Sequence, residues 1–399
     1  MKSSEERVVA CLARIVAREP EIRAWAHLDP QHALAQARAL DRMPHKGPLH
    51  GIPIGIKDVL DTHDMPTRYG SSIYQDHRPA RDSNCVARLR QAGAVILGKT
   101  ATTEFASPIP VGVRNPLDFT RTPGVSSSGS AAAVADFMVP LALGTQTGGS
   151  VIRPAAYCGV YGYKASIDAL DRGGIRHLRP SLDSLGVFAR SLEEISYVCG
   201  RPVKLERPPR LAFCRTHEWH LAKPETREAV RGAADKLGAA ELELPQLFAE
   251  ALQSFRIIVL RESALAHALE FRDHLDTMND WLKEVATKAA LVTDAGYAKA
   301  LAHAAQCRSY LARVFQEVDA IITPATAGEA SQKLTGLEDQ TFCPLWSLMQ
   351  GPCITIPAFK GPNGMPIGLQ LVGAVNGDEK LLAVASWVDS LLGSHHARV

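Results

Sequence analysis

Alternation constrains this chain most. Short apolar runs bounded by glycine or proline recur between segments of helical periodicity from one end to the other. Runs of four to six apolar residues are too short for helices and have no polar face, so they suit strands buried in a sheet. They lie at 52–57, 94–98, 141–144, 159–163, 210–214, 320–323, 353–356 and 367–372. Helical patterning covers 5–18, with Val8, Val9, Leu12 and Ile15 on one stripe, then 31–43, 84–91, 130–138, 192–198, 224–238, 247–271, 278–288, 293–318 and 378–392. Ser83 and Ser191 stand where helix N-caps belong. The pattern predicts an α/β fold with a mixed central β-sheet covered by helices on both faces.

Composition excludes several classes. Apolar residues make up 46% and charged residues 22%, which is enough to bury a globular core. A net charge of +2 without a basic block argues against nucleic acid as partner. The eight cysteines show no Cys-x-x-Cys spacing, as expected of reduced thiols in a cytoplasmic protein. The start, Met1-Lys2-Ser3-Ser4, leads into a charged helix and not a signal peptide. The apolar run Ala131–Leu143 contains Asp136 and Pro140 and is too short to cross a bilayer. His217 with His220, and His395 with His396, lack companion ligands, so no metal site is expected. Gly93-Ala94-Val95-Ile96-Leu97-Gly98-Lys99-Thr100 fits the P-loop pattern by letter. Its four middle residues form a strand where a phosphate-wrapping turn is needed, so nucleotide binding is rejected and Lys99 is read as an ordinary strand-end residue.

Three segments carry chemistry. Ser150 ends the run Gly144-Thr145-Gln146-Thr147-Gly148-Gly149-Ser150. Upstream stands Gly124-Val125-Ser126-Ser127-Ser128-Gly129-Ser130, and Lys57 closes Gly51-Ile52-Pro53-Ile54-Gly55-Ile56-Lys57. Singly, these read as a tight turn, a helix N-cap and a surface lysine. Together they supply two hydroxyls and an amine for a proton chain. No histidine lies in any of the three, and lysine is the known substitute base. Backbone N–H groups of Thr147, Gly148, Gly149 and Ser150 are candidate oxyanion donors.

In order and spacing these segments resemble the amidase signature family of serine hydrolases, from about Gly47 to Ile195, with weaker similarity at Thr323-Pro324-Ala325 and 351–373. The resemblance implies catalytic roles for Ser150 as nucleophile, Ser126 as bridging serine after a cis peptide bond, and Lys57 as base. Val125 occupies a family glycine position, so the cis junction is expected at Val125–Ser126. Ser128 replaces another glycine and Gln146 a common aspartate. The order Ser150-Val151-Ile152-Arg153-Pro154 is similar to a malonamidase-like branch whose arginine meets a substrate carboxylate. Arg153 is therefore a substrate-binding candidate, with a buried structural arginine paired to Asp58 or Asp183 as the alternative. Thr145 is a second candidate, its hydroxyl serving substrate or structure. Asp58 is expected to orient backbone or Arg153.

The chain is accordingly expected to form one amidase signature domain over 1–399. Within it, N-terminal helices occupy 1–45, a catalytic core 46–200, and a helix-rich insertion at 245–350 shapes the pocket. The implied activity is cleavage of a small linear carboxamide, carboxylate-bearing substrates included, to acid and ammonia through an acyl-enzyme, without cofactor. A small-molecule amide is the expected partner, with no nucleic acid or membrane and a homodimer as the default assembly. The alternatives are the A subunit of a tRNA-dependent amidotransferase and a catalytically silent amidase-like binding protein.

Overall fold

The apolar runs pair into one eleven-stranded mixed sheet in the computed structural model, which describes residues 2–200, 203–337 and 339–393. The strands are β1 (Trp25–Leu28), β2 (Pro53–Lys57), β3 (Val95–Thr100), β4 (Leu141–Gln146), β5 (Tyr161–Lys164), β6 (Ser184–Ala189), β7 (Leu211–Cys214), β8 (Ala240–Leu242), β9 (Ala320–Pro324), β10 (Cys353–Lys360) and β11 (Pro366–Val372). Their order is β1-β3-β2-β4-β6-β5-β10-β11-β9-β7-β8. β2 runs parallel to both β3 and β4, while β4–β6, β6–β5 and β5–β10 are antiparallel.

Successive side chains on a strand point to opposite faces, and the core divides accordingly. Ile54, Ile56, Ile96, Leu141 and Leu143 pack with residues of the helices Asn84–Gln91, Leu192–Cys199, Pro224–Lys236 and Asp378–Leu392. Val95, Leu97 and Ala142 pack on the opposite face against Ser4–Ile22, Pro30–Asp41 and Ser128–Ala135. A third cluster lies beneath the helices Ala251–Ala266 and Asp294–Glu317. No helix among the described residues is long and apolar enough to cross a membrane.

Some elements differ from the sequence expectation. β1, β6 and β8 form where no strand was expected. The segment 247–271 is not one helix, because it breaks at His267 between Ala251–Ala266 and Ala268–Asp273. Ser191 caps its helix in a reciprocal box with Glu194, whereas the Ser83 hydroxyl donates to Asp61 O (3.2 Å) and makes no cap bond. His395 and His396 lie outside the described residues.

The helix Ser128–Ala135 is held against the strand ends by its own first turn. Ser130 Oγ donates to Leu143 O (2.8 Å) and lies 2.7 Å from Thr100 Oγ1, while Ser127 Oγ donates to Thr145 O (3.1 Å). Gly129 permits this approach, since a β-carbon there would sit 2.4 Å from both Ala101 N and Ala24 O. Both are backbone atoms that cannot swing aside. Gly129→Ala is therefore expected to destabilise the fold by about 3 kcal/mol, the upper range for overpacking, read as a lower urea midpoint at unchanged slope.

Candidate active site

The three sequence segments meet at the carboxyl ends of β2 and β4, the side of a sheet where α/β proteins commonly bind ligands. Ile56 pairs with Leu143, so Lys57 and the turn after Gln146 emerge side by side. Ser126 immediately precedes the helix start described above, and the Val125–Ser126 peptide bond is cis. Lys57 and Ser126 are completely buried, and Ser150 is 8% exposed.

Lys57 Nζ lies 2.8 Å from Ser126 Oγ and 2.8 Å from Thr145 Oγ1, and donates to Thr145 O at 3.4 Å. It forms no ion pair among the described residues. Burial without a carboxylate partner penalises the ammonium form and lowers the Lys57 pKa from 10.5 to about 7. The charge of Asp183 opposes this shift and that of Arg179 reinforces it. A substantial fraction of neutral amine therefore exists near neutrality, as a general base requires.

Ser150 follows the turn Thr147–Gly149 and lines a cavity of about 810 Å³ together with Thr147 and Gly148. Its hydroxyl has no hydrogen-bond partner among the described residues, so the Ser126–Ser150 link of the proton chain is not closed in this structure. Such links commonly tighten only with substrate in place. The backbone N–H groups of Thr147, Gly148, Gly149 and Ser150 likewise meet no acceptor among the described residues. Unfilled donors beside a serine hydroxyl at a cavity wall have the arrangement that a developing oxyanion requires. Gln146 shapes this turn: its Oε1 accepts from Val151 N (2.9 Å) and Ile152 N (3.0 Å), and its Nε2 donates to Ser347 Oγ (3.0 Å). A neutral amide thus supplies the acceptor at the start of the helix Ile152–Cys158.

Two substrate-binding candidates lie beside these groups but do not line the cavity. The Thr145 hydroxyl faces Lys57, and Thr145 is not among the residues lining the cavity. Arg153 is 2% exposed and also absent from the lining; its Nη2 donates to Val125 O (2.7 Å), beside the cis junction. Neither aspartate proposed as its partner takes that role. The Asp58 carboxylate accepts from Arg68 N and lies 3.5 Å from Lys99 Nζ, and Asp183 accepts from the backbone of Leu178 and Arg179. Lys99 itself is fully buried, donating to Leu60 O (2.7 Å) and Thr67 Oγ1 (2.5 Å), because β3 extends through Thr100. It is not an ordinary strand-end residue, and the P-loop reading fails on the same extended backbone.

Sequence reasoning missed Arg179. This arginine lines the cavity with Ser150, alongside Phe255, Val259 and Trp281 from the helix-rich region. Elsewhere His63, Asp64 and Asp82 cluster as a cation site would, but Arg90 pairs with both Asp64 (2.6 Å) and Asp82 (2.9 Å).

Comparison with known proteins places this geometry in context. The family model described as Amidase matches residues 6–204 and 200–382. The A subunit of glutamyl-tRNA(Gln) amidotransferase from Chloroflexus aggregans is 34% identical over 462 positions, covering 98% of this chain and 94% of the relative. That of Natranaerobius thermophilus is 30% identical, covering 98% and 92%. Among solved structures, one described as a vestigial protein complex revealing the origins of an s-triazine catabolic enzyme superposes with a TM-score of 0.90 at 28% identity, covering 98% of this chain and 96% of that one. The peptide amidase of Stenotrophomonas maltophilia gives 0.82 at 27% identity, covering 98% and 94%.

Proposed function

The chain belongs to the amidase family and is a hydrolase of carbon–nitrogen bonds, and from that premise we propose that it cleaves a small linear carboxamide to an acid and ammonia through an acyl-enzyme on Ser150. The observation that carries this reading is the buried Lys57 amine 2.8 Å from Ser126 Oγ, without an ion pair to any carboxylate among the described residues. Neutral Lys57 draws a proton from Ser126 as Ser126 takes one from Ser150. The Ser150 oxygen then attacks the amide carbon, and the carbonyl oxygen gathers negative charge against the N–H groups of residues 147–150. The chain runs backwards to protonate the leaving nitrogen, the C–N bond breaks, and ammonia departs. Water, activated through the same groups, then releases the acid and regenerates Ser150. No cofactor enters these steps.

The test is ammonia release by the purified chain from a panel of aliphatic carboxamides, with no other protein present. In that assay kcat/KM is expected to rise with pH through about 7 and level off above 8. Below pH 7 protonation of Lys57 removes the base, so the value at pH 5 should lie about a hundredfold under the plateau. A profile flat across this range would remove Lys57 from the role.

The sequence relatives favour a second reading, as the A subunit of a tRNA-dependent amidotransferase. Against it, the alignment with the Chloroflexus protein spans 462 positions and this chain has 399 residues, so the relative carries segments this chain lacks. Ammonia release that appears only when partner proteins and charged tRNA are supplied would decide for the amidotransferase reading.

A further inference from the structure

Arg179 differs from the other buried cations around the site. Lys99 lies beside the Asp58 carboxylate, and Lys57 is surrounded by hydroxyls and sheds its charge. Arg179 is only 1% exposed and forms no ion pair among the described residues. Its Nε donates to Ser263 Oγ (2.8 Å) and Nη1 to Phe105 O (3.3 Å), while Nη2 has no partner. Two carboxylates influence it through space, Asp183 and Glu262, and both are engaged elsewhere. Asp183 accepts the backbone N–H groups of Leu178 and Arg179 on one oxygen and the Thr147 hydroxyl on the other. Glu262 accepts from Ser181 N (3.0 Å) and from the Tyr297 hydroxyl (2.8 Å). The guanidinium carbon lies 5.4 Å from the Trp281 ring centroid, an aromatic face that supplies no ion pair. His267 adds no charge either, since burial depresses its pKa to about 3.

A guanidinium stays protonated under all ordinary conditions, and a buried one without a counter-ion is costly. This one borders the cavity that holds Ser150 with its unpaired Nη2 buried, and Asp183 ties its backbone to Thr147 of the turn before Ser150. We propose that Arg179 forms an anion subsite that grips a carboxylate on the acyl part of the substrate, making a short dicarboxylic monoamide the preferred substrate class. The inference rests on the amidohydrolase reading in one respect: ammonia carries no carboxylate, so the charge belongs to the acyl side. A planar fork matches a planar carboxylate by parallel hydrogen bonds, and the vacant Nη2 supplies one of them.

Binding separates this proposal from catalysis. On the Ser150→Ala protein, calorimetry compares malonamate, succinamate and glutaramate with propanamide, butanamide and pentanamide. At least one monoamide is expected to bind between about tenfold and about a hundredfold more tightly than its neutral counterpart, the range a desolvated charge pair supplies. Adding Arg179→Gln should erase the preference, and Arg179→Lys, which keeps the charge but loses the fork, should retain only part of it. The proposal is overturned if no monoamide is preferred, a result that needs no Arg179 variant, or if the preference survives Arg179→Gln. Wild-type turnover distinguishes the two readings. Ammonia release without a carboxylate preference removes the subsite alone, and a preference without turnover of any amide removes the hydrolase reading alone.

Discussion

Ser150→Ala is expected to lower kcat/KM by ~10⁴-fold or more, to the residual rate that oxyanion donors and substrate positioning sustain by themselves. The loss should be that large because no neighbour in the nucleophile turn can take over. Cys343, packed behind the same turn, is a buried thiol whose pKa burial raises to about 12, and it is not part of the lining. Thr147 lines the cavity, but its hydroxyl is committed to Asp183. Removing one oxygen from a side chain that makes no hydrogen bond among the described residues should leave the fold undisturbed, so the melting curve should match that of the wild type. Ammonia release and labelling by a fluorophosphonate probe should vanish together. Labelling that persists at another residue would mean the nucleophile has been misassigned.

Lys57→Met should separate activity from stability. Methionine has similar length and no charge, so the proton chain loses its terminus and kcat/KM should fall by about 10³-fold or more, as for loss of a triad member. Stability should move the other way. In the folded chain the Lys57 pKa is depressed to about 7, whereas in the unfolded chain it returns to 10.5. Unfolding therefore takes up a proton between these values, and wild-type stability rises with pH across this window as the cost of the buried ammonium disappears. At pH 7 and below that cost stands in full, several kcal/mol by the size of the shift, and Lys57→Met removes it. The variant should be the more stable protein at pH 6, with the difference shrinking toward pH 10. Denaturant melts at the two pH values check this. A variant less stable than the wild type at both would mean that the hydroxyls of Ser126 and Thr145 compensate the amine far better than burial suggests.

The candidate site was legible where its chemistry sits in contiguous segments. Lys57, Ser126 and Ser150 each lie in a short glycine-rich run, and the parallel pairing of β2 with β4 brings those runs together. The buried strands were legible for the same reason, since an unbroken apolar run has few other destinations. β1 was not, because its four residues are only half-buried and include His27. β8 was not, because it is a three-residue edge strand with two exposed residues. The direction of the Thr145 hydroxyl depends on which neighbour approaches it, and no local pattern encodes that. Arg179 was least visible of all. Its burial and its unpaired donor arise among Ser263, Phe105 and Trp281, far apart in sequence, so its own neighbourhood reads as an ordinary polar loop.

The cavity wall and the proposed proton chain have separate origins. Lys57, Ser126 and Ser150 are fixed to strand ends and one helix start, while the surface facing them comes chiefly from residues 252 to 344. Exchanging a side chain on that opposite surface leaves the amine and hydroxyls where they are. Evolution, or a protein engineer, can therefore reshape that wall, and with it the range of amides that fit, without displacing the amine and hydroxyls.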